Sequence, residues 1–239
     1  MKKALLCLLV GALLSAAPAG AKLKLPALIG DHMVLQKGSP VVWGWVDPGA
    51  TVTVALGHNA QTTQADDQGK WKVSLNLPRS GGPYELTVSS EGESVTIQDV
   101  LVGEVWLGSG QSNMEFAMKT SSDAETQIPA AKFPKIRLFT VARVASFTPL
   151  DDVQGSWKVC SPDVIGDFSA VAYHFGKDLH KALRTPVGLI VAAWGGSAAE
   201  AWTPRSVLEK DDNFTTLVDQ WDHNDSQIKT WKTGNDFEL

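Results

Sequence analysis

Two short stretches hold the residues best suited to chemistry. In Gly108-Ser-Gly-Gln-Ser-Asn-Met114, two glycines lead into Ser112, ahead of a polar–apolar stretch that can start a helix. A nucleophilic serine needs a tight turn that exposes its oxygen, with backbone N–H groups nearby to receive a developing oxyanion. The Ser112 N–H lies among the unpaired donors of a helix start. Two readings therefore fit these residues: Ser112 is a nucleophile, or it is a helix N-cap. A dinucleotide loop fits less well, because Asn113 stands where the third glycine belongs. The elbow of the α/β-hydrolases is also excluded, since Gly110-Gln-Ser-Asn-Met ends in methionine rather than glycine. The second stretch is Trp194-Gly-Gly-Ser197, a diglycine whose backbone can approach a ligand. Its N–H groups complete an oxyanion hole if its strand neighbours the first one; otherwise it is a turn that reverses the chain.

A serine hydroxyl is a poor nucleophile until a base takes its proton, and that base is usually an oriented histidine. The chain has five histidines. His32 and His58 fall in the first third of the sequence. His174 and His180 sit six apart in one predicted helix, face different directions and read as structural or solvent-facing. His223, in Asp219-Gln-Trp-Asp-His223, is the single late histidine. No Cys/His cluster has zinc-ligand spacing and no EF-hand loop occurs, so neither metal nor cofactor is expected. Cys160, flanked by Trp157-Lys-Val, reads as a small buried residue rather than a nucleophile.

The elements that must position these loops fall into two compositional parts. From Lys22 to Gln98, runs rich in Val, Thr, Trp and Leu alternate with turn residues. Val41–Val46 and Thr51–Leu56 flank Asp47-Pro-Gly49, and Lys70–Leu75 and Tyr84–Ser89 flank a Pro/Ser/Gly segment. That pattern predicts a small all-β sandwich domain over 22–98. Trp43 and Trp45 share one face of their strand and read as core. From Asp99 onward, strands alternate with helices. Strands are predicted at Val100–Leu107, Lys135–Val141 and Val187–Ala193, and helices at Asp123–Lys132 and Phe168–Leu183. Val171, Phe175, Leu179 and Leu183 recur four apart, as on an amphipathic helix. Strand–helix alternation builds an α/β domain with a mostly parallel sheet, here over 99–239, and such folds place ligands at the carboxyl ends of their strands. Both candidate loops directly follow predicted strands.

The 239 residues are 44% hydrophobic and 20% charged, an ordinary globular composition. The formal charge of −5, with no basic block, excludes a phosphate-tracking nucleic-acid binder. Lys2-Lys3, the apolar run Ala4–Leu14 and Ala19-Gly-Ala21 predict a secretory signal peptide over 1–21, removed after Ala21. The run is too short to span a bilayer, which takes ~20 residues. A secreted or periplasmic protein with no membrane segment in its mature form is expected. Signal removal takes two lysines and no acid, and leaves Cys160 as the one cysteine, so no intramolecular disulfide can form.

Gly103-Glu-Val-Trp-Leu-Gly-Ser-Gly-Gln-Ser-Asn-Met-Glu115 closely resembles the nucleophile block of the sialate O-acetylesterases and related carbohydrate esterases of the SGNH hydrolase superfamily. Phe168–Gly176, Pro186–Ile190 and Trp194–Trp202 match the same family, as does the opening Leu25–Gln36. The resemblance runs to about Asp212. It implies a flavodoxin-like three-layer α/β domain with an accessory β-domain, and removal of O-acetyl groups from sugars, above all the 9-O-acetyl of sialic acid. It places Ser112 as nucleophile, with its own N–H and the Gly195-Gly196 loop as oxyanion hole, Gly196 being the preferred second donor. Glu200 and Trp202 border the site, and Gln111 and Asn113 shape the nucleophile turn.

The family's Asp-x-x-His and its Gln-Gly-Glu oxyanion block occur nowhere in this sequence. His223 stands one residue too far from Asp219 for that motif. The expectation is an N-terminal part of a longer esterase, inactive alone because its base lies beyond Leu239. Two other readings stand beside it. One is a non-catalytic binder of acetylated carbohydrate, consistent with nine tryptophans. The other is a structural β-sandwich module.

Overall fold

The computed structural model describes residues 22–146 and 148–234; the predicted signal peptide lies outside them. Alternating side chains give the first part its strands. In Thr51–Leu56 the residues Val52, Val54 and Leu56 are buried while Thr51, Thr53 and Ala55 face outward. The chain runs through β1 (Val34–Gln36), β2 (Val41–Trp45), β3 (Thr51–Leu56), β4 (Asn59–Gln64), β5 (Lys70–Ser74) and β6 (Gly81–Ser90) into β7 (Glu93–Gly110). It continues with α1 (Ser112–Glu115), α2 (Ala124–Ala130), β8 (Phe133–Thr140), β9 (Trp157–Cys160), α3 (Pro162–Ile165), α4 (Ala170–Leu183) and β10 (Val187–Ala193). Two further helices follow, α5 (Arg205–Leu208) and α6 (Thr215–Gly234). The protein is thus mixed α/β, with a central sheet and flanking helices. Among the described residues no helix is long and apolar enough to cross a membrane.

The central sheet has the order β4-β3-β6-β7-β10-β8-β9, with β1 pairing alongside β7, and β2 and β5 form a separate antiparallel pair. Val42 and Trp71 from that pair meet Val52, Val54, Leu86 and Val88 in one apolar core. Burying such side chains stabilises the fold by about 1.5–3 kcal/mol each.

β7 joins the two parts of the molecule. Its first half pairs antiparallel with β6, up to Val102 opposite Gly81. Its second half, Glu104–Gly110, pairs parallel with β10. Within the first half Asp99 takes a left-handed conformation at φ 55°. Its carboxylate accepts two hydrogen bonds from the guanidinium of Arg137 on β8, at 2.6 and 3.0 Å, and Nδ1 of His32 lies 2.7 Å away. Arg137 also donates to the carbonyls of Pro134 and His32. Its side chain is 5% exposed, so this ion pair ties the β1 approach, β7 and β8 together out of contact with most solvent.

The helix predicted over Phe168–Leu183 forms from Ala170, with Ser169 Oγ accepting from the Ala172 N–H at 3.1 Å as N-cap. Arg184, left-handed at φ 53°, ends it. The face turned to the sheet is not the four-apart stripe, because Val171, Phe175 and Leu183 are exposed. Ala172, Tyr173 and Gly176 are buried instead. Gly176 sets the approach of α4 to β10, since a Cβ there would fall 2.5 Å from a Leu189 methyl. Beneath α4, Tyr173, Ile136, Leu138, Leu189 and Val191 form the second core, which includes Cys160. Burial pushes the Cys160 thiol up to about 11.

The order β7-β10-β8 puts β10 in the middle of the parallel trio. A flavodoxin-like sheet places its first strand there. Here the first of the three, β7, pairs over Glu104–Gly110 with β10, and among the described residues no strand lies on its other side.

Candidate functional site

β7 and β10 end together, Ser109 opposite Ala192 and Gly110 opposite Ala193, so their loops leave the same end of the sheet side by side. The Trp194 N–H extends the ladder, donating to the Gly110 carbonyl at 3.1 Å. Directly after β7, the chain turns at Gln111 into α1, and Ser112 is its first helical residue. The N-cap position falls to Gln111, and no side chain caps the helix. Ser112 therefore does not act as the cap. Its hydroxyl is exposed and donates to Gln111 Oε1 at 3.0 Å.

The diglycine loop rests on this turn. A Cβ on Gly195 would come 3.8 Å from Ser112 Cα, an ordinary contact, and 2.5 Å from Glu115 Oε2, so a side chain there would displace the Glu115 carboxylate. The Gly195 N–H is already committed, donating to Glu115 Oε2 at 2.5 Å. Gly196, at φ 80°, has no protein acceptor for its N–H among the described residues. Among the described residues neither the Ser112 N–H, at the start of α1, nor the Gly196 N–H has a protein acceptor. Glu115 Oε1 pairs with the guanidinium of Arg143, which comes from the loop after β8. Three strand-end loops converge on this one carboxylate.

The other predicted border residues lie around the same loops. Asn113 is exposed on α1 beside Ser112. Trp202 donates from Nε1 to Ser197 Oγ at 2.7 Å, and Ser197 Oγ donates to the Trp194 carbonyl at 2.7 Å, which staples Trp202 to the diglycine loop. Glu200, in the single turn Ala199–Trp202, is half-buried. No local sequence pattern marks Glu115 or Arg143 as site residues. Glu115 closes the quoted nucleophile block, and Arg143 sits just past a strand that ends at the same sheet edge. That shared edge was the one available signal for Arg143.

The histidines lie elsewhere. His32 is held by Asp99. His58 is in the β3–β4 turn. His174 faces Asp123 at 3.4 Å and Lys177 at 3.3 Å, and His180 Nδ1 meets the Thr185 carbonyl at 2.6 Å. His223 is exposed on α6, next to Asp222, which takes the Arg205 guanidinium through both oxygens. The one hydrogen bond of Ser112 Oγ among the described residues is that to Gln111.

Fold and site together define an α/β protein with a serine-centred junction at the carboxyl end of a parallel sheet. The mouse sialate O-acetylesterase is 34% identical over 212 residues, covering 80% of this chain and 39% of that protein. The human sialate O-acetylesterase is 32% identical over 206 residues, covering 77% and 39%. A solved carbohydrate acetylesterase from Xanthomonas citri aligns with a TM-score of 0.76 at 38% identity, covering 80% of this chain and 44% of that one. No family model matches the chain. The chain is a homologue of the sialate O-acetylesterases over 80% of its length and spans 39% of the length of these curated relatives.

Proposed function

We propose that this chain carries the nucleophile and oxyanion hole of a carbohydrate O-acetylesterase, with Ser112 as nucleophile and the 9-O-acetyl group of sialic acid as substrate. The observation that carries the reading is the seating of Gly195 against the Ser112 turn, with the next N–H, that of Gly196, lacking a protein acceptor among the described residues. Ser112 Oγ attacks the acetyl carbonyl carbon, and the carbonyl oxygen takes up the negative charge. The N–H groups of Ser112 and Gly196 receive it. A base accepts the serine proton and returns it to the departing sugar hydroxyl; water then releases acetate from acetyl-Ser112.

The base comes from polypeptide outside the described residues. Among the described residues no strand pairs with the outer edge of β7 over Glu104–Gly110, where the Val105 N–H donates to the Gln36 side chain, and the Trp106 and Leu107 side chains of that segment are exposed. Parallel strands are normally covered on both faces and read as continuous apolar runs, as Val105-Trp106-Leu107 does. A strand added at that edge would reach the Ser112 turn from the side opposite Gly195 and would move β7 into the sheet's interior, as flavodoxin-like order requires. His223, the in-chain alternative, sits on α6. The proposal also takes in a small β-sandwich accessory domain over 22–98, then the N-terminal part of a three-layer esterase domain, on a secreted or periplasmic protein.

Acetate release from O-acetylated sialosides tests this. Residues 22–239 alone should turn over several powers of ten below a complete triad, with the residual rate lost in Ser112→Ala. Full activity of that chain would overturn the external base, and an undiminished Ser112→Ala would overturn the serine. Exposed Trp194 and Trp202 beside the diglycine loop favour the second reading, a non-catalytic binder of acetylated carbohydrate. Tight calorimetric binding with no turnover would establish it.

A further inference from the structure

Glu115 belongs to no step of the reaction above, yet from the loop after β7 it touches both the loop after β10 and the loop after β8. It ends the single turn of α1, three residues beyond Ser112, on the same helical face. Its side chain is 25% exposed. One oxygen takes the Gly195 N–H at 2.5 Å and the other faces the Arg143 guanidinium. We propose that Glu115 is a positioning residue for the oxyanion hole: its carboxylate holds the Gly195 N–H and so fixes the Gly196 N–H beside Ser112. The proposal rests on Ser112 being the nucleophile.

A bare carboxylate in this place would oppose catalysis. Like charges a few ångströms apart repel, and the developing oxyanion would form within reach of Glu115. Arg143 resolves the conflict by neutralising Glu115 from the side away from Gly195. What remains is its capacity to accept a hydrogen bond. By consuming the Gly195 donor, Glu115 prevents the diglycine from turning that N–H elsewhere. Gly195 carries no side chain that could lock the loop by packing, and the space a Cβ would take is occupied by Glu115 Oε2. The ladder bond from Trp194 to Gly110 holds the start of the loop and the Ser197 bonds to the Trp194 carbonyl close its far side, while the Glu115 carboxylate is what ties the Gly195 peptide to the Ser112 turn. Charge and geometry make separable demands on residue 115, and substitutions can address each alone.

Hydrolysis of p-nitrophenyl acetate by the full chain reads the oxyanion hole, because its leaving group needs no acid. The wild-type rate should exceed that of buffer, as oxyanion holes without a complete triad still give about 10³–10⁴-fold over water. Glu115→Ala should lower kcat roughly 10- to 100-fold, below the ~10²–10³ cost of losing an oxyanion donor outright, with KM within about twofold. Glu115→Gln keeps an acceptor for the Gly195 N–H and should recover most of that loss. Arg143→Ala strands the Glu115 charge and should also lower kcat. In the Arg143→Ala background, adding Glu115→Gln should raise kcat again, which a purely structural role for the ion pair would not produce. Thermal melts of each variant confirm that it is folded. An Ala variant at the wild-type rate, a Gln variant as slow as Ala, or a double variant no faster than Arg143→Ala would each overturn the proposal. If Ser112→Ala leaves the rate unchanged, or the wild type does no better than buffer, the nucleophile reading falls first and takes this one with it.

Discussion

Replacing Asp99 by asparagine tests how the two parts of the molecule are held together. Asparagine tolerates the left-handed backbone at φ 55°, so the substitution removes charge without adding strain. It leaves Arg137, 5% exposed, without its counter-charge. Breaking a buried pair by removing one partner costs about 3–5 kcal/mol. Asp99 keeps 31% of its side chain in water, and Arg137 retains the Pro134 and His32 carbonyls. Both reduce the penalty, to about 2–3 kcal/mol by the same reasoning. For a chain of this size that is a fall in Tm of roughly 4–12 °C. The pH dependence has a definite sign. Hydrogen bonds from Arg137, then His32, hold the Asp99 carboxyl below its ordinary value against the opposing effect of burial. Its contribution is therefore fully present above about pH 4 and is lost as pH falls through the lowered native value. Urea titrations from pH 3 to pH 8 should show the wild type ahead by a constant margin at neutral pH, the margin closing in acid. A neutral-pH difference below 1 kcal/mol, or a margin that widens in acid, would refute the reasoning.

Gly176→Ala drives a methyl group into the Leu189 side chain and should destabilise the fold by about 1–3 kcal/mol, read from chemical denaturation; an unchanged midpoint would mean α4 can lift off β10 freely. The Cys160 thiol, pushed up to about 11 by burial, should resist a disulfide reagent at pH 8 in the native protein and react at once in denaturant. Rapid native labelling would place Cys160 outside the core. Gly195→Ala puts a Cβ against Glu115 Oε2, and should lower residual ester hydrolysis at least tenfold in a folded variant. A melt and a steady-state assay of the same sample separate the two effects.

The sequence was most legible where apolar periodicity and local chemistry agree. Thr51–Leu56 and Val187–Ala193 form strands with the predicted bounds. The neighbouring strand-end loops that carry Ser112 and Gly195-Gly196 were visible as serine and glycine turns after apolar runs. β7 was read only as Val100–Leu107, because Glu93–Asp99 alternates polar residues and Asp99 interrupts the strand conformation. β4, Asn-Ala-Gln-Thr-Thr-Gln, offers no apolar signal, since an edge strand with little buried surface needs none. The polar tail from Asp222 gave no sign of α6, whose description extends to Gly234. On α4 the strongest apolar stripe is the exposed one, because close approach to β10 selects small residues for the inner face. Glu115 and Arg143 escaped notice because their pairing depends on three loops meeting, which no local pattern encodes.

The central claim is that Ser112 is the attacking group. Incubation with a fluorophosphonate, followed by intact-mass measurement and peptide mapping, addresses it directly, because attack on phosphorus leaves a stable adduct on the nucleophile. The account predicts one adduct, on Ser112, formed more slowly than in a complete triad and absent from Ser112→Ala. An adduct on any other residue, or equal labelling of the alanine variant, would contradict it.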